Sequence, residues 1–495
     1  MRDLPARIEG YGPLRRTTVR RNARPGKVLP TLDAAIAACG LKDGATVSFH
    51  HHLRNGDAVL NLVLDALARA GLRGLHVAAT SIFPVHAPLV GHIRSGVVGR
   101  LSASFISGPV GEAISRGALS APVILRSHGG RARAIDLGEV AIDAAFVAAP
   151  AADEMGNLSG RAGRAPCGTL GYPMVDVGRA RHVVAVTDSL LPYPAVQVDI
   201  PQTQVDVVVS VDSIGDPAGI ASGATRPASD AQSLGIAADT AAVIAASGLL
   251  EDGFSFQTGA GGVSLATAAA VGREMAARGV TGSFASGGIT GFHAELLDAG
   301  LFRALMDVQC FDLAAVASYA RNPAHMAMSA AAYAGPHVGG AVVDRLSAVV
   351  LGAAEVDTGF NVNVTTRASG VIMGGSGGHA DTAQGAALTL ITTRLTAAGF
   401  AKIVPAVGTL TTPGATVDAV VTEAGVAVNP ARGDLAERLR HAGLPLVSIE
   451  DLAARAAAEA ARPAPPAPDG RIVAVSEYRD GSVTDVIRAV AEDDS

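Results

Sequence analysis

The sequence predicts an α/β protein with two similar domains of mostly parallel sheet, and three observations indicate this fold class. The chain has 495 residues, which is more than a single core usually holds. Apolar, β-branched runs alternate with Ala-rich runs of helical spacing, and this alternation occurs twice. Gly accounts for 58 residues and aromatic residues for only 4%, as in proteins with many tight turns between strands and helices.

The first predicted domain covers residues 31–225 and follows an Arg-rich arm at residues 1–30. Its first strand lies within residues 45–53, and the helix predicted over 57–71 ends at Gly71, a residue type that commonly caps helices. Further strands are predicted at 72–80, 121–130, 142–153, 182–190 and 205–212. Because these runs are continuously apolar, we expect a parallel sheet that is covered on both faces.

The second predicted domain covers residues 226–459 and repeats the pattern. Its strand-like runs lie at 248–262, 279–290, 301–312, 346–357 and 370–378. A late helix is predicted over 430–443. The segment 460–495 combines a Pro/Ala-rich linker with a hairpin that turns at Asp480-Gly481, and we expect it to form a small C-terminal appendage.

Composition and charge exclude several classes of function. The net charge is −6 and no domain is basic, so nucleic acid is not expected as a partner. No apolar run approaches the ~20 residues that span a bilayer, and no apolar stretch follows the basic N-terminus as in a secretory signal. The three cysteines, Cys39, Cys167 and Cys310, lack metal-ligand or disulfide spacing, which indicates a cytoplasmic protein without a metal site.

Two glycine-rich segments in the second domain are the first candidates for a functional site. "GGSGG" (374–378) precedes an Ala-rich run, and "GAGG" (259–262) follows a strand-like run. Backbone amides without Cβ atoms beside them can hold an anion or the oxyanion of a reacting carbonyl. A tight turn without a ligand is the alternative, since neither a Walker A nor a dinucleotide pattern is present. The candidate catalytic residues are Gly374, Gly375, Gly377, Gly378, Gly259 and Gly261.

Polar side chains near other strand ends are candidates for substrate binding. The segments "RSHGGRAR" (126–133), "FHHHLRN" (49–55) and "FNVNV" (360–364) supply guanidinium, imidazole and amide groups that suit carboxylates or phosphates. A solvated basic loop and capping of a sheet edge are the alternatives. Adjacent histidines on a strand alternate between its faces, which suits hydrogen bonding better than zinc. The candidates are Arg126, His128, Arg131, Arg133, His52, Arg54, Asn361 and Asn363.

These segments together resemble the alpha subunit family of citrate lyase, within the coenzyme A transferases. The resemblance runs from near residue 8 to the C-terminal hairpin and includes "SFHHHLRNGD", "DEMGNLSG", "CGTLGYPMVD", "GFSFQTGAGG" and "GGSGGHADTA". It implies two similar coenzyme A transferase-type domains and an enzyme that exchanges acetyl for citryl on a carrier thiol, releasing acetate. A citramalate-using relative, a stand-alone acyl-CoA:carboxylate transferase or hydrolase, and a non-catalytic scaffold remain alternatives.

The resemblance also implies partners. The acyl group would travel on a carrier (gamma) subunit, as a thioester of its phosphoribosyl-dephospho-coenzyme A arm, or on acetyl-CoA. A beta subunit would cleave the citryl thioester, and this chain would bind no cofactor or metal of its own. We expect an oligomer.

A catalytic Glu that forms acyl intermediates is present in many coenzyme A transferases. In this chain the corresponding segment is "SFASGGITGFHAELLDAG" (283–300), and the Glu position falls on Gly287. Glu355 is the nearest alternative carboxylate. We therefore predict that a citrate carboxylate itself attacks the acetyl thioester to give a mixed anhydride, while backbone amides stabilise the oxyanions.

Overall fold

The computed structural model describes residues 5–15, 26–221, 228–259 and 261–491. The predicted domain boundary at 225–226, and parts of the predicted arm and C-terminal segment, lie outside these ranges. The strands, in chain order, are β1 (Arg7–Ile8), β2 (Gly12–Pro13), β3 (Val28–Leu29), β4 (Thr46–Phe49), β5 (Leu75–Ala79), β6 (Val98–Ala103), β7 (Val123–Arg126), β8 (Ala144–Ala149), β9 (Ala151–Asp153), β10 (Leu158–Ser159), β11 (His182–Thr187), β12 (Leu190–Leu191), β13 (Val207–Ser210), β14 (Ser255–Thr258), β15 (Gly282–Ile289), β16 (Phe302–Cys310), β17 (His325–Ala327), β18 (Ala348–Gly352), β19 (Glu355–Asp357), β20 (Val362–Asn363), β21 (Thr389–Thr392), β22 (Thr396–Ala397), β23 (Phe400–Ala401), β24 (Ile403–Val404), β25 (Ala419–Thr422), β26 (Gly425–Val428), β27 (Ile472–Glu477) and β28 (Val483–Arg488).

The α-helices lie between these strands. They are α1 (Leu32–Cys39), α2 (Val59–Arg69), α3 (Leu89–Arg94), α4 (Pro109–Ser115), α5 (His128–Asp136), α6 (Pro173–Arg179), α7 (Ala231–Ala246), α8 (Gly262–Arg278), α9 (Gly291–Asp298), α10 (Leu313–Arg321), α11 (Ala330–Ala334), α12 (His379–Gly385), α13 (Gly433–His441) and α14 (Ile449–Glu459). The helix predicted over 57–71 is α2, which ends two residues before Gly71, where φ is +82°. Within the described ranges, no helix is both long and apolar enough to cross a lipid bilayer.

Two large sheets share one strand order over seven strands each. The ten-stranded sheet has the order β28-β27-β7-β6-β5-β4-β8-β11-β13-β3, and the eight-stranded sheet has the order β17-β16-β15-β14-β18-β21-β25-β26. In the first sheet β4 lies between β5, β6 and β7 on one side and β8, β11 and β13 on the other. In the second sheet β14 lies in the same way, with β15, β16 and β17 on one side and β18, β21 and β25 on the other. Neighbouring strands are parallel except in the pairs β27–β28 and β25–β26. The expected fold class, two similar α/β units with mostly parallel sheets, is confirmed.

The repeated order fixes where a ligand site can form. The direction of strand addition reverses between β4 and β8 in the first sheet, and between β14 and β18 in the second. Open parallel sheets bind ligands beyond the carboxyl ends of strands at such reversals. A ligand site is therefore expected beside the segments that follow β4, β14 and β18.

The C-terminal hairpin lies at the edge of the first sheet. Strand β27 pairs with β7 in parallel and with β28 antiparallel, and the turn contains the predicted Asp480-Gly481 pair. The hairpin also contacts the second unit, because the amide of Leu410 donates to Asp485 at 2.7 Å and Arg479 lies 3.7 Å from Asp381. The hairpin exists as predicted, but it is an integral sheet edge rather than an appendage.

Candidate functional site

A cavity of about 700 Å³ is lined by both units at the carboxyl ends of their strands. The first unit contributes His51 and Arg54, which follow β4, and His128, which follows β7. The second unit contributes Gly259, after β14, and the end of β18 with the residues that follow it. Both points of strand reversal therefore face one cavity, which is large enough for a small-molecule substrate.

Five of the six predicted glycines line this cavity. They are Gly259, Gly261, Gly375, Gly377 and Gly378. The sixth, Gly374, packs so closely on Val364 that a Cβ atom would lie 2.3 Å from its carbonyl oxygen.

Backbone hydrogen bonds separate these glycines into two groups. The amides of Gly259, Gly374 and Gly377 donate to the carbonyls of Val350, Thr365 and Ser104, at 2.7, 3.1 and 3.1 Å. Among the described residues, by contrast, the amides of Gly375, Ser376, Gly378 and Gly261 have no acceptor. The structure thus offers the second group, and not the first, as donors to a ligand.

The glycine segment 374–378 does not follow a strand, contrary to the prediction of a strand-like run over 370–378. It crosses to the first unit instead, where the amide of Ile106 donates to the carbonyl of Gly374 at 3.1 Å. A Cβ atom on Gly375 would lie 2.4 Å from the carbonyl oxygen of Ser104. Glycine is needed here because the loop packs against the protein's own backbone.

Three of the four predicted guanidinium groups lie outside the cavity lining. Arg126 donates to Glu477 at 2.7 Å, Arg131 to Asp176 at 2.7 and 2.8 Å, and Arg133 to Glu139 at 2.8 Å. Residues 128–136 form helix α5, and Arg131 and Arg133 on this helix pair with carboxylates that do not line the cavity. The geometry therefore does not bring these guanidinium groups to the cavity.

Arg54 is the guanidinium that does line the cavity. Its Cζ atom lies 4.9 Å from the ring centroid of Phe83 and 5.0 Å from that of Phe311. Its side chain is buried, and no carboxylate of the described residues pairs with it. Burial lowers the pKa of Arg54 to about 10, so it remains cationic at neutral pH. A buried cation without an acidic partner is costly unless a ligand supplies the anion.

Two histidines of the cavity wall pack around a tyrosine. The ring centroids of His51 and His128 lie 4.7 and 4.6 Å from that of Tyr172. Burial lowers the pKa of His128 to about 3 and that of His51 well below its usual value, so both are neutral. His52 is buried behind this wall, and neither of its ring nitrogens has a hydrogen-bond partner. These imidazoles are hydrogen-bonding groups rather than charges.

The two predicted asparagines stabilise a turn away from the cavity. Asn361 donates to Asp357 at 3.1 Å and accepts from the amide of Gly414 at 2.9 Å. The first unit contains the same arrangement, with Asn157 donating to Asp153 at 2.7 Å. Because the turn recurs in the other unit, its geometry alone accounts for Asn361. Asn363 is likewise bound within the protein, to Glu355 at 2.9 Å.

Tyr172 and Lys402 line the cavity but were not selected from the sequence. Tyr172 lies in the quoted segment "CGTLGYPMVD", yet nothing in that segment indicates that its hydroxyl faces a cavity. Burial raises the pKa of Tyr172 well above its usual value, so the hydroxyl remains a donor. The feature of the sequence that could have drawn attention to Lys402 is the rarity of lysine, because the chain has only three lysines.

One buried cluster offers metal-ligand atoms outside this cavity. Atoms of Asp307, Cys310 and His325 lie within 4.8 Å of one another. Cys310 and His325 both approach the same carboxylate oxygen of Asp307, at 3.0 Å each. Hydrogen bonding among the three side chains accounts for the cluster.

The family whose model matches this chain is described as citrate lyase, alpha subunit (CitF), and the match covers residues 25–490. The chain belongs to the citrate lyase alpha subunit family. This membership confirms the family expected from the sequence, and with it that the chain is an enzyme of the transferase class.

Curated relatives match over almost their full length. The chain is 48% identical to the citrate lyase alpha chain of Escherichia coli (strain K12), over 97% of this chain and 94% of that one. It is 46% identical to that of Klebsiella pneumoniae, over 95% and 93% respectively.

Solved structures support the same family and fold. A structure described as the alpha subunit of citrate lyase from Streptococcus mutans, in complex with citrate, matches with a TM-score of 0.93 and 46% identity, over 98% of this chain and 96% of that one. A Pseudomonas malonate decarboxylase matches with a TM-score of 0.64 and 17% identity, over 88% and 91%, which shows a shared fold alone.

Within this citrate lyase alpha subunit fold, the described lining of the cavity contains no carboxylate. At Gly287 φ is +95°, and a Cβ atom would lie 2.5 Å from the side chain of Gln257. A Glu at this position would therefore strain the backbone and displace Gln257. Glu355 does not line the cavity, and its carboxylate accepts from Asn363 and from the amide of Gly408 at 2.9 and 3.0 Å.

Several buried histidines make this citrate lyase alpha subunit sensitive to acid. Burial lowers the pKa of seven histidines, to about 3 for His128, to about 4 for His50, His76, His293 and His379, and well below the usual value for His51 and His52. The unfolded chain takes up these protons near pH 6.5, so their contribution to stability is complete above pH 6.5. It falls as the pH decreases from 6.5 towards 4.

We expect the free energy of unfolding to fall by about 6 kcal/mol between pH 7.5 and 5.5. Each histidine contributes about 1 kcal/mol to this fall. Burial raises the pKa of Asp381 to about 6, and this group offsets about 1 kcal/mol of the fall. Urea unfolding across this range measures the slope. His293→Gln should reduce the slope by about one proton, whereas the exposed His441→Gln should not. A slope that H293Q leaves unchanged would contradict the assignment.

Proposed function

We propose that this chain exchanges acetyl for citryl on the thiol of an acyl carrier, releasing acetate. The observation that carries the proposal is the unpaired Arg54 cation in a cavity whose described lining has no carboxylate. Such a cavity favours polyanionic ligands, because the ligand supplies the missing negative charge. A relative with 46% identity is described as a complex with citrate, which supports citrate as that ligand.

The chemistry begins with the citrate carboxylate as nucleophile. A carboxylate oxygen attacks the acetyl thioester carbon, the carbon–sulfur bond breaks, and a citryl–acetyl anhydride and the carrier thiolate form. The thiolate then attacks the citryl carbonyl, and acetate leaves with the bridging oxygen. One carboxylate and one thioester are consumed and one of each is produced, so no net proton transfer is required.

The first task of the protein is to bring two anionic reactants together. Arg54 offsets the charge of citrate, and its stacking on Phe83 and Phe311 restricts the guanidinium to one side of the cavity. Positioning of this kind replaces an encounter between two repelling molecules by a step within one complex.

The second task is to stabilise the oxyanion of each tetrahedral intermediate. The unpartnered amides of Gly375, Ser376 and Gly378 lie together on one wall of the cavity. The hydroxyl of Tyr172 is a further donor, which remains protonated because burial raises its pKa. Fixed donors in a shielded cavity stabilise developing charge without having to reorganise.

The low pKa values of His51 and His128 agree with this scheme. An imidazole with a pKa of about 3, as in His128, or well below its usual value, as in His51, is a poor general base at neutral pH. A route through an enzyme nucleophile other than a carboxylate would need such a base, whereas attack by a citrate carboxylate does not. Neutral rings that donate hydrogen bonds to citrate suffice.

We further propose the partners of the reaction. The acyl thioester would be presented by a carrier (gamma) subunit on its phosphoribosyl-dephospho-coenzyme A arm, or as acetyl-CoA, and a beta subunit would cleave the citryl product. A volume of about 700 Å³ accommodates citrate together with the acyl end of such an arm. All three cysteines are free and buried, which favours a cytoplasmic location.

The proposed function is tested with the purified full chain and an acetylated carrier. Addition of citrate should produce citryl-carrier and acetate in equal amounts, without oxaloacetate. A panel of hydroxy acids that includes citramalate determines the acid specificity. Release of acetate without any added acid, with free carrier thiol as the other product, would identify a hydrolase instead and contradict the proposal.

A further inference from the structure

Lys402 lies in the cavity wall formed by the second unit. It is placed between β23 and β24, and its carbonyl accepts from the amide of Val356 at 2.8 Å, which fixes it beside the segment that follows β18. It lines the cavity together with Leu351, Gly352 and Ala353. This wall is distinct from the one that carries Arg54 between its two phenylalanine rings.

The ammonium group of Lys402 has no hydrogen-bond or ion-pair partner within the described part of the chain. The two other lysines differ in their surroundings. Lys27 donates to the carbonyls of Gln202 and Val205 at 2.5 and 2.6 Å, and Lys42 is exposed to solvent. Cations in this chain are otherwise almost all arginines, and Lys402 is the partly buried lysine that has no partner among the described residues.

Three charged side chains face Lys402 from neighbouring segments. Burial and, to a smaller extent, Arg394 lower the pKa of Lys402 to about 8, although Glu423 and Glu355 act in the opposite direction. Both carboxylates have other partners, because Glu423 accepts from the amide of Leu395 at 3.0 Å and Glu355 from Asn363. Neither acid therefore neutralises the lysine by direct contact.

We propose that Lys402 is a second anion subsite of the cavity, which binds an oxyanion of one substrate opposite the citrate group held by Arg54. The inference rests on the proposed function for its ligands. Two sources supply the same chemistry: a carboxylate of the acid substrate, or a phosphate of the carrier's arm. A lysine suits either source, because its ammonium group binds oxyanions as a compact charge without a fixed geometry.

The subsite is tested by competitive acetylation of the full-length chain with a trace of acetic anhydride. Mass spectrometry compares the labelling of Lys402 with that of exposed Lys42 in the same molecule, with citrate, pyrophosphate or coenzyme A as the added probe. At ten times the dissociation constant of the probe, the relative labelling of Lys402 should fall about tenfold. Protection by citrate assigns the carboxylate, and protection by pyrophosphate or coenzyme A assigns the phosphate.

Labelling of Lys402 that no probe lowers would overturn the subsite. If calorimetry shows citrate bound while Lys402 stays unprotected, the proposed function stands and the subsite falls. If Lys402 is protected while acyl exchange fails, the subsite stands and the proposed function falls. As a second measurement, Lys402→Met should weaken binding of the protecting probe about tenfold or more, whereas Lys402→Arg, which keeps the charge, should restore most of it.

Discussion

Arg54→Met is expected to lower kcat/KM for citrate by at least about 100-fold, because it removes the buried cation that meets the substrate's negative charge. Methionine fills much of the space between Phe83 and Phe311, so packing around the site is retained. Initial rates with acetylated carrier at several citrate concentrations measure the effect. The loss should be larger for citrate than for the thioester, since Arg54 is assigned to citrate.

Arg126→Met is the matched control for this prediction. Arg126 follows the same pattern of a guanidinium near a strand end, but it pairs with Glu477 outside the cavity. We expect the kcat/KM of R126M for citrate to stay within about threefold of the value for the unsubstituted protein, because Arg126 contacts no substrate in this account. If R126M loses citrate turnover and R54M does not, the anion site lies at the end of β7 and the assignment to Arg54 is wrong.

Gly375→Ala should lower kcat by about 100-fold or more, which is the typical cost of losing one oxyanion donor. A Cβ atom at this position would lie 2.4 Å from the carbonyl oxygen of Ser104, so the loop must move and carry its unpartnered amides with it. The same strain should lower the free energy of unfolding by about 2 kcal/mol. Single-turnover rates and urea unfolding measure the two effects separately.

Gly235→Ala provides the control for adding a methyl group to a glycine. Gly235 is exposed within helix α7, and no atom lies within 4 Å of the Cβ position. The substitution should stabilise the protein by about 0.5–1 kcal/mol and leave kcat unchanged. A G375A variant that folds and turns over like G235A would show that the glycine loop does not stabilise the reaction.

The sequence predicted the sheets well because long apolar strands have a strong signal. Strands β4, β5, β14 and β15 lie within predicted runs, and the repeated alternation indicated two similar units. The run 370–378 was wrong as a strand, since it forms no named strand. Its one buried apolar residue, Ile372, donates its amide to Ser115 of the first unit at 2.8 Å. Apolarity alone does not distinguish burial at such a contact from burial within a sheet.

The site was harder to predict than the fold. Sequence proximity suggested that Arg126, Arg131 and Arg133 act together, but each pairs with its own carboxylate. Glu477 and Asp176 are distant in sequence, and Glu139 follows helix α5. Lys402 lies between the short strands β23 and β24, about 50 residues beyond β18 in the sequence. Only the folded chain shows that it lines the same cavity as the end of β18. Local patterns therefore identified candidate groups but not their partners.

The attack of citrate itself on the acetyl thioester is tested most directly by a single turnover with citrate labelled by ¹⁸O in its carboxylates. The full chain is used in excess over acetylated carrier, and the acetate and the protein are both analysed by mass spectrometry. If citrate attacks directly, the acetate of the first turnover carries one ¹⁸O and the protein carries no acyl group or label. Unlabelled acetate, together with ¹⁸O retained in a carboxylate of the protein, would contradict the account.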